Sequence, residues 1–296
     1  MLPRKRKAGP VAGALILSAL INGVVPVQNP GTKKRQGFRA STAIHYGSDS
    51  ISLKESKYQL KNPGLMSYHL GYNNFQFIYS NLFFGRNPLL DKKARVEYLQ
   101  PNRVYTLEYS QNSNVLQGSA AKKARFRGLA FTSTQGADKN FSLPFALSQV
   151  SDQQKSGGSF MVRSSNQVGK ISVEEGFETR PVLSMQNETL DGEVSFAHFS
   201  LQPGFGYIFA TGRFRATYHM FFGPALQLNK FENVNRASKQ ADFGYQGSSR
   251  ASFGLMFDNV FIWYKTSGPL FPVLSRAFDS VGPRNSDASL EAGMNF

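Results

Sequence analysis

The feature that most constrains this chain is an alternation of apolar and polar residues over two adjacent segments, 199–209 and 213–222. The odd positions are apolar in the first segment and the even positions in the second, and only Ile208 and Phe221 break the rule. The apolar sets are Phe199, Leu201, Pro203, Phe205, Tyr207 and Phe209, then Phe214, Ala216, Tyr218, Met220 and Phe222. A helix would repeat at three or four residues, so a period of two predicts strands. Thr211 and Gly212 between them predict a tight hairpin turn.

Similar alternation recurs around residues 38–46, 68–79, 96–109, 141–147 and 256–264, with turn-forming Asn, Asp or Pro between several of the segments. These segments predict about twelve strands (a range of 10–14), or thirteen if every candidate is kept. A single-chain bacterial barrel normally has an even number of strands, so one candidate is surplus, and we expect it within 172–192. No repeat or composition shift divides the chain, which favours one domain over residues 28–296.

The first 27 residues have the pattern of a secretory signal peptide. Residues 4–7 are all basic, residues 8–21 are mostly apolar, and Asn-Gly-Val-Val-Pro (residues 22–26) leads to Val27 and polar Gln28. We predict cleavage near Val27 and export. The alternative, an uncleaved membrane helix, needs about 20 predominantly apolar residues, whereas this stretch is shorter and carries Pro10, Gly13 and Asn22.

Alternation alone does not distinguish a soluble sandwich from a membrane barrel. The export signal, the aromatic residues near strand ends and an apolar alternation ending in a terminal Phe together predict the barrel. The predicted fold is an all-β, antiparallel up-and-down transmembrane β-barrel in the outer membrane of a Gram-negative bacterium. The predicted lipid-facing and girdle residues are Phe205, Tyr207, Phe214, Tyr218 and Phe222.

The end of the chain predicts an assembly signal. Leu290, Met294 and Phe296 lie on one face of the last strand, a pattern that resembles the signal read by the barrel-assembly machinery of bacterial outer membranes. This strand is expected to pair with residues 37–46, because a sheet in lipid must have no free edge.

The polar face of the strands is predicted to line the lumen of the barrel. Its candidate lining residues are Arg213, Arg215, His219, His198 and Glu291. A ladder of arginines could set an anion preference in a small, porin-like pore. Alternatively, the arginines pair with acids such as Glu291 and plug a narrow barrel. The polar segments 47–63, 111–123, 173–192 and 232–243 are predicted external loops, where function concentrates.

Composition excludes several classes of function. The net charge is +15, of which four charges lie in the predicted signal, and the remaining +11 is spread thinly, so we predict no nucleic-acid partner. The chain has no Cys and no phosphate-cradling Gly-rich loop. His45 and His69 lie on different predicted strands without nearby acids in sequence, so neither a metal nor a cofactor is predicted.

Two hypotheses about function remain open. The first is a non-enzymatic barrel that acts as a small pore or as a structural or interaction protein in contact with outer-membrane lipid. The second is an outer-membrane enzyme acting on lipid or lipopolysaccharide. The pair His198 and Ser200 favours the second only weakly, because side chains two residues apart on a strand start roughly 7 Å apart.

Three motifs resemble a known family. They are the stretch from Phe141 to the Lys-Ser-Gly-Gly-Ser-Phe of residues 155–160, the Ser-Leu-Gln-Pro-Gly-Phe-Gly-Tyr of residues 200–207, and the aromatic hairpin at residues 71–75. They are similar to the family known as domain of unknown function 4421, over roughly residues 58–296. The resemblance implies an exported bacterial β-barrel, chiefly of Bacteroidota, and no assigned activity or catalytic residue.

Overall fold

The computed structural model describes residues 38–53, 56–60, 64–82, 92–112, 115–116, 124–138, 140–149, 155–173, 177–179, 188–190, 192–233, 237–257, 259–269 and 282–296. The predicted signal peptide, residues 1–27, lies outside these ranges. Among the described residues, no helix is long and apolar enough to cross a membrane.

The described residues are almost entirely strands. The strands are β1 (Phe38–Leu53), β2 (Ser56–Leu60), β3 (Gly64–Tyr72), β4 (Phe75–Leu82), β5 (Lys92–Gln100), β6 (Arg103–Asn112), β7 (Val115–Leu116), β8 (Ala124–Gly136), β9 (Gly157–Val173), β10 (Phe177–Thr179), β11 (Glu188–Leu190), β12 (Gly192–Thr211), β13 (Phe214–Asn233), β14 (Ala237–Met256), β15 (Val260–Pro269) and β16 (Gly282–Asn295). A single described helix, α1 (Leu143–Ser148), precedes β9.

Twelve of these strands form a closed antiparallel barrel, which confirms the predicted fold. Each barrel strand pairs with the next barrel strand along the chain, and β16 pairs with β1 to close the sheet. The closing register places Ile44 opposite Leu290 and Ala40 opposite Met294. The short strands β2 and β7 extend the sheet beside β1, and β10 and β11 form a separate two-stranded sheet.

The apolar face of the wall points out of the barrel. On β13, Tyr218 and Met220 are 44% and 39% exposed, whereas Thr217 and His219 between them are 3% and 4% exposed. Side chains of successive strand residues point to opposite sides of the sheet, so the outward set is the apolar parity that the sequence marks. In a soluble sandwich the apolar side chains would be buried in the core and the polar side chains would be exposed.

Short turns gather at one end of the barrel, which we call the turn end. The β3–β4 hairpin turns at Asn73, whose φ is +50°, and the β12–β13 hairpin turns at Gly212, whose φ is +53°. The second turn is centred on residues 212 and 213 because Thr211 still belongs to β12, one residue later than the sequence predicted. The chain ends at the same end, where the Phe296 N–H donates to the Phe38 carbonyl at 2.8 Å.

The predicted strand at 141–147 is wrong, because this segment forms α1. The Ser142 hydroxyl caps the helix by accepting the Phe145 N–H at 3.4 Å, and Pro144 occupies its first turn. Gln149 adopts a left-handed conformation (φ +55°) and ends the helix. The surplus strand candidate was therefore 141–147 rather than one within 172–192, which holds the end of β9 together with β10 and β11.

All six residues of α1 are buried, and four of them belong to an apolar core that they share with the wall. The core members are Leu99, Val104, Phe141, Leu143, Phe145, Ala146, Leu147, Met161, Ile208, Phe221, Phe261 and Trp263. The wall approaches closely at Gly254, where a Cβ atom would lie 2.1 Å from the Ile262 carbonyl and 2.9 Å from the Trp263 ring. The lumen at the turn end is thus filled by the chain itself.

Candidate functional site: the filled lumen

A buried carboxylate organises one side of the lumen. Glu291 on β16 has no exposed surface, and its Oε1 accepts from Ser41 Oγ at 2.6 Å and from Arg39 Nη2 at 3.4 Å. Lys265 Nζ donates to Glu291 Oε2, and His69 Nδ1 lies 3.3 Å from Oε1. These partners come from the neighbouring strands β15, β1 and β3, so this Glu291 cluster ties the closing seam of the barrel together from inside.

The helix is held by polar bonds from opposite sides of the wall. Ser148 Oγ donates to Glu97 Oε2 on β5 at 2.6 Å, and Arg250 Nη1 on β14 donates to the Leu147 carbonyl at 3.1 Å. Arg39 on β1 donates to the carbonyl of Gln149, which ends the helix. Because these bonds reach three separated parts of the wall, α1 is fixed across the lumen as a plug.

A second charged group lies on β5 and β6. Arg95 Nε donates to Glu108 Oε2 at 2.9 Å, Arg95 Nη1 lies 3.4 Å from Glu97 Oε1, and Lys93 Nζ lies 3.1 Å from Glu108 Oε1. Sequence reasoning missed this group. The signal was present, since Lys93, Arg95 and Glu97 share one parity on a strand whose other parity includes Val96.

Three side chains on adjacent strands form a chain of hydrogen bonds with the order of a hydrolase triad. His45 Nδ1 lies 2.9 Å from Asp287 Oδ2, and His45 Nε2 lies 2.6 Å from Ser67 Oγ. His69 Nε2 contacts the same Ser67 Oγ at 2.8 Å. Ser67 has no exposed surface, so its hydroxyl is enclosed by two imidazoles. The sequence drew attention to both histidines and to Glu291 but not to Asp287, and strand pairing brings these acids beside the histidines.

The residues predicted to line the lumen are not a continuous ladder. Arg215 and His219 are buried, and Arg215 Nη1 donates to the Gly212 carbonyl at 2.7 Å. Arg213 is exposed in the turn, with its Cζ 5.2 Å from the Phe257 ring centroid, because the turn is shifted by one residue. His198 Nε2 lies 2.9 Å from Gln246 Oε1, and the Ser200 hydroxyl, with which the hydrolase hypothesis pairs it, has no hydrogen-bond partner among the described residues.

The residues predicted to face lipid lie on the outside of the wall or between its side chains. Tyr207, Phe214, Tyr218 and Phe222 are exposed, and Phe205 is half-buried against Phe160, with ring centroids 5.7 Å apart. Leu290, Met294 and Phe296, the predicted assembly signal, are exposed on the same side. Their contact with lipid and with the assembly machinery remains a prediction.

The described ranges contain no group of three or more His, Asp or Glu residues that could bind a metal ion. Their buried acids are instead engaged by Arg, Lys, His and Ser side chains, as the pairs above show. The polar part of the lumen therefore contains a network of ion pairs and hydrogen bonds around the plug.

A closed barrel of twelve antiparallel strands, apolar outside and filled by its own helix, has the architecture of outer-membrane barrels. The chain belongs to the family described as Domain of unknown function (DUF4421), whose model matches residues 69–266. No curated protein matches the chain in sequence.

Solved structures similar to the chain include several outer-membrane proteins. The attachment invasion locus protein Ail of Yersinia pestis is 8% identical, with 88% of this chain and 99% of that chain covered and a TM-score of 0.26. The translocator domain of the autotransporter NalP from Neisseria meningitidis is 9% identical, with 96% and 94% covered and a TM-score of 0.35. An outer membrane channel from Pseudomonas putida F1 is 8% identical, with 91% and 100% covered and a TM-score of 0.30.

Proposed function

We propose that this chain is a plugged barrel of the Gram-negative outer membrane that acts as a structural or interaction protein rather than as an open pore. The observation that carries the proposal is α1, whose six residues are all buried inside the barrel. Phe145 of the helix packs against Trp263 of the wall, and the core around them is apolar. An open water-filled pore requires a polar lumen along its whole length, so a dry, packed segment opposes conduction.

Strand length supports a role outside the bilayer. Strands β12, β13 and β14 have 20 residues each, whereas about 9–11 tilted residues cross a bilayer. On β13 the outward apolar series runs to Leu228 and is followed by Lys230, which pairs in register with Lys239 of β14. The wall therefore continues past its apolar band, away from the turn end, and offers a polar rim for a partner.

Location and assembly complete the proposal. Residues 1–27 would direct export, and the last strand, with Leu290, Met294 and Phe296, would be read by the barrel-assembly machinery. The outward face with Phe205, Tyr207, Phe214, Tyr218 and Phe222 would contact lipid, which offers backbone groups no partner and so requires a closed sheet. Short turns lie on the periplasmic side in such barrels, so the plug would face the periplasm.

The enzyme hypothesis has one observation in its favour, the hydrogen-bonded series in which His45 contacts Ser67 through Nε2 and Asp287 through Nδ1. A serine nucleophile must reach the substrate, and its oxyanion must meet free donors. Ser67 has no exposed surface, and its two hydrogen-bond partners enclose the hydroxyl. We therefore assign these residues a structural role in the seam between β16, β1 and β3.

Single-channel recording in planar bilayers tests the proposal. The wild-type barrel should give no steady channels, whereas a variant with residues 141–149 replaced by a Gly-Ser linker of equal length should conduct. Heat-modifiable migration on gels confirms that each protein is a folded barrel, and fractionation of tagged protein tests its location. Wild-type channels as large as those of the linker variant would refute a closed lumen.

A further inference from the structure

Two arginines, Arg163 and Arg250, lie beside the plug. Arg163 on β9 and Arg250 on β14 both face the lumen, and neither contacts a carboxylate within the described part of the chain. We propose that these two side chains bind a phosphate group inside the barrel. The inference does not depend on the lumen being closed, because the site lies on the wall and not within α1.

The two guanidinium groups share one region of the lumen. Arg163 Nη1 donates to Ser248 Oγ at 3.1 Å, across the strands that separate β9 from β14. Ser248 and Arg250 are two positions apart on the same face of β14, which corresponds to roughly 7 Å along the strand. The charge of Arg95 opposes both guanidinium charges, and that of Arg250 also opposes Arg163.

Most of their donors are unused. A guanidinium carries five N–H donors, yet within the described ranges Arg163 makes one hydrogen bond, to Ser248, and Arg250 makes one, to the Leu147 carbonyl. Arg163 Nε is buried without a hydrogen-bond partner. An anion placed between the two side chains would accept hydrogen bonds from these remaining N–H groups.

The nearby acids are already engaged. Glu97 binds Ser148 and Arg95, Asp287 binds His45, and Glu291 lies in its own cluster. Each of these three carboxylates has closer partners of its own, although their charges also attract Arg250 at longer range. Enclosed charges that lack a counter-ion are costly, so an anion from outside the chain would lower the free energy of this region.

The arrangement suits phosphate. A phosphate dianion balances two guanidinium charges, and its oxygens match the planar donor forks of arginine. The Phe221 ring, whose centroid lies 3.7 Å from Arg163 Cζ, holds the plane of that fork through a cation–π contact. The phosphate could come from free inorganic phosphate or from a phosphorylated lipid headgroup.

Calorimetric titration of the full-length barrel in phosphate-free detergent tests this site. Inorganic phosphate and glycerol 3-phosphate, a headgroup surrogate, are compared with chloride at constant ionic strength. We expect wild-type binding to weaken at least tenfold in Arg163→Gln and in Arg250→Gln, and less in Arg163→Lys, which keeps the charge without the fork. Arg213→Gln, on the exposed turn, is the matched control and should bind as wild type.

The two probes identify the source of the ligand. Equal binding of both would indicate recognition of the phosphate group itself, whereas binding of glycerol 3-phosphate alone would indicate a headgroup. Heat-modifiable migration of each variant shows that the barrel has folded. The proposal would be overturned if neither probe bound the wild-type barrel, or if folded Arg163→Gln and Arg250→Gln bound them as tightly as wild type.

Discussion

The ring of Phe145 meets the indole of Trp263 edge to face, with ring centroids 5.6 Å apart and planes inclined by 69°. Phe145 belongs to the plug and Trp263 to the wall, and neither has exposed surface. Trp263 is also the single tryptophan of the chain. The contact between plug and wall can therefore be followed by intrinsic fluorescence.

Removing the Phe145 ring should loosen the plug. Phe145→Ala leaves a cavity at a fully buried position, so we expect a loss of about 3–5 kcal/mol in unfolding free energy and red-shifted Trp263 emission with greater acrylamide quenching. Phe160→Ala, at a side chain that is 73% exposed on the outside, is the control and should leave the emission unchanged. Identical spectra for both variants would mean that α1 does not pack against Trp263.

Neutralising Glu291 should weaken the closing seam. Glu291→Gln leaves Arg39 and Lys265 enclosed without their counter-charge, at an expected cost of about 3–5 kcal/mol in urea or heat unfolding. Adding Lys265→Met should recover part of this loss. The exposed ion pair of Lys170 and Glu193 supplies the control, since Glu193→Gln should cost below about 1 kcal/mol. Equal effects of the two Gln substitutions would contradict a structural role for the Glu291 cluster.

The enclosed Ser67 should not behave as a nucleophile. A fluorophosphonate probe should label the folded wild-type barrel no more than the Ser67→Ala variant, because two imidazoles occupy both sides of the hydroxyl. His45→Ala should instead lower thermal stability by breaking the hydrogen bonds to Ser67 and Asp287. Labelling of wild type that disappears in Ser67→Ala would restore the enzyme hypothesis.

The strands of the wall could be predicted from the sequence because the residues that mark each strand and turn are close together in the chain. Alternation such as that around Tyr218 reports which side chains point outward, and turn residues such as Asn73 mark where strands end. The closing pair of β1 and β16 followed from the need to leave no free edge in lipid. The predicted count of about twelve strands is confirmed, and the surplus thirteenth candidate was the segment at 141–147.

The plug was harder to predict because α1 is six residues long and buried on every side. Such a helix has no polar face, so its apolar residues give no helical period, and Phe141, Leu143, Phe145 and Leu147 imitate a strand. The available signal was Ser142 followed by Pro144, which is typical of a helix start. Contacts such as Arg163 with Ser248 join strands that are not neighbours, and no local pattern encodes them.

The most direct test of the account asks which face of the wall meets lipid. The Tyr218→Trp substitution in a Trp263→Phe background places the sole indole outside, whereas the wild-type indole of Trp263 lies inside. In vesicles of lipids with brominated acyl chains, we predict strong quenching of the Tyr218→Trp variant and little quenching of the wild type. Strong quenching of Trp263 with an unquenched Tyr218→Trp variant would contradict the account, because it would place acyl chains on the face assigned to the filled lumen.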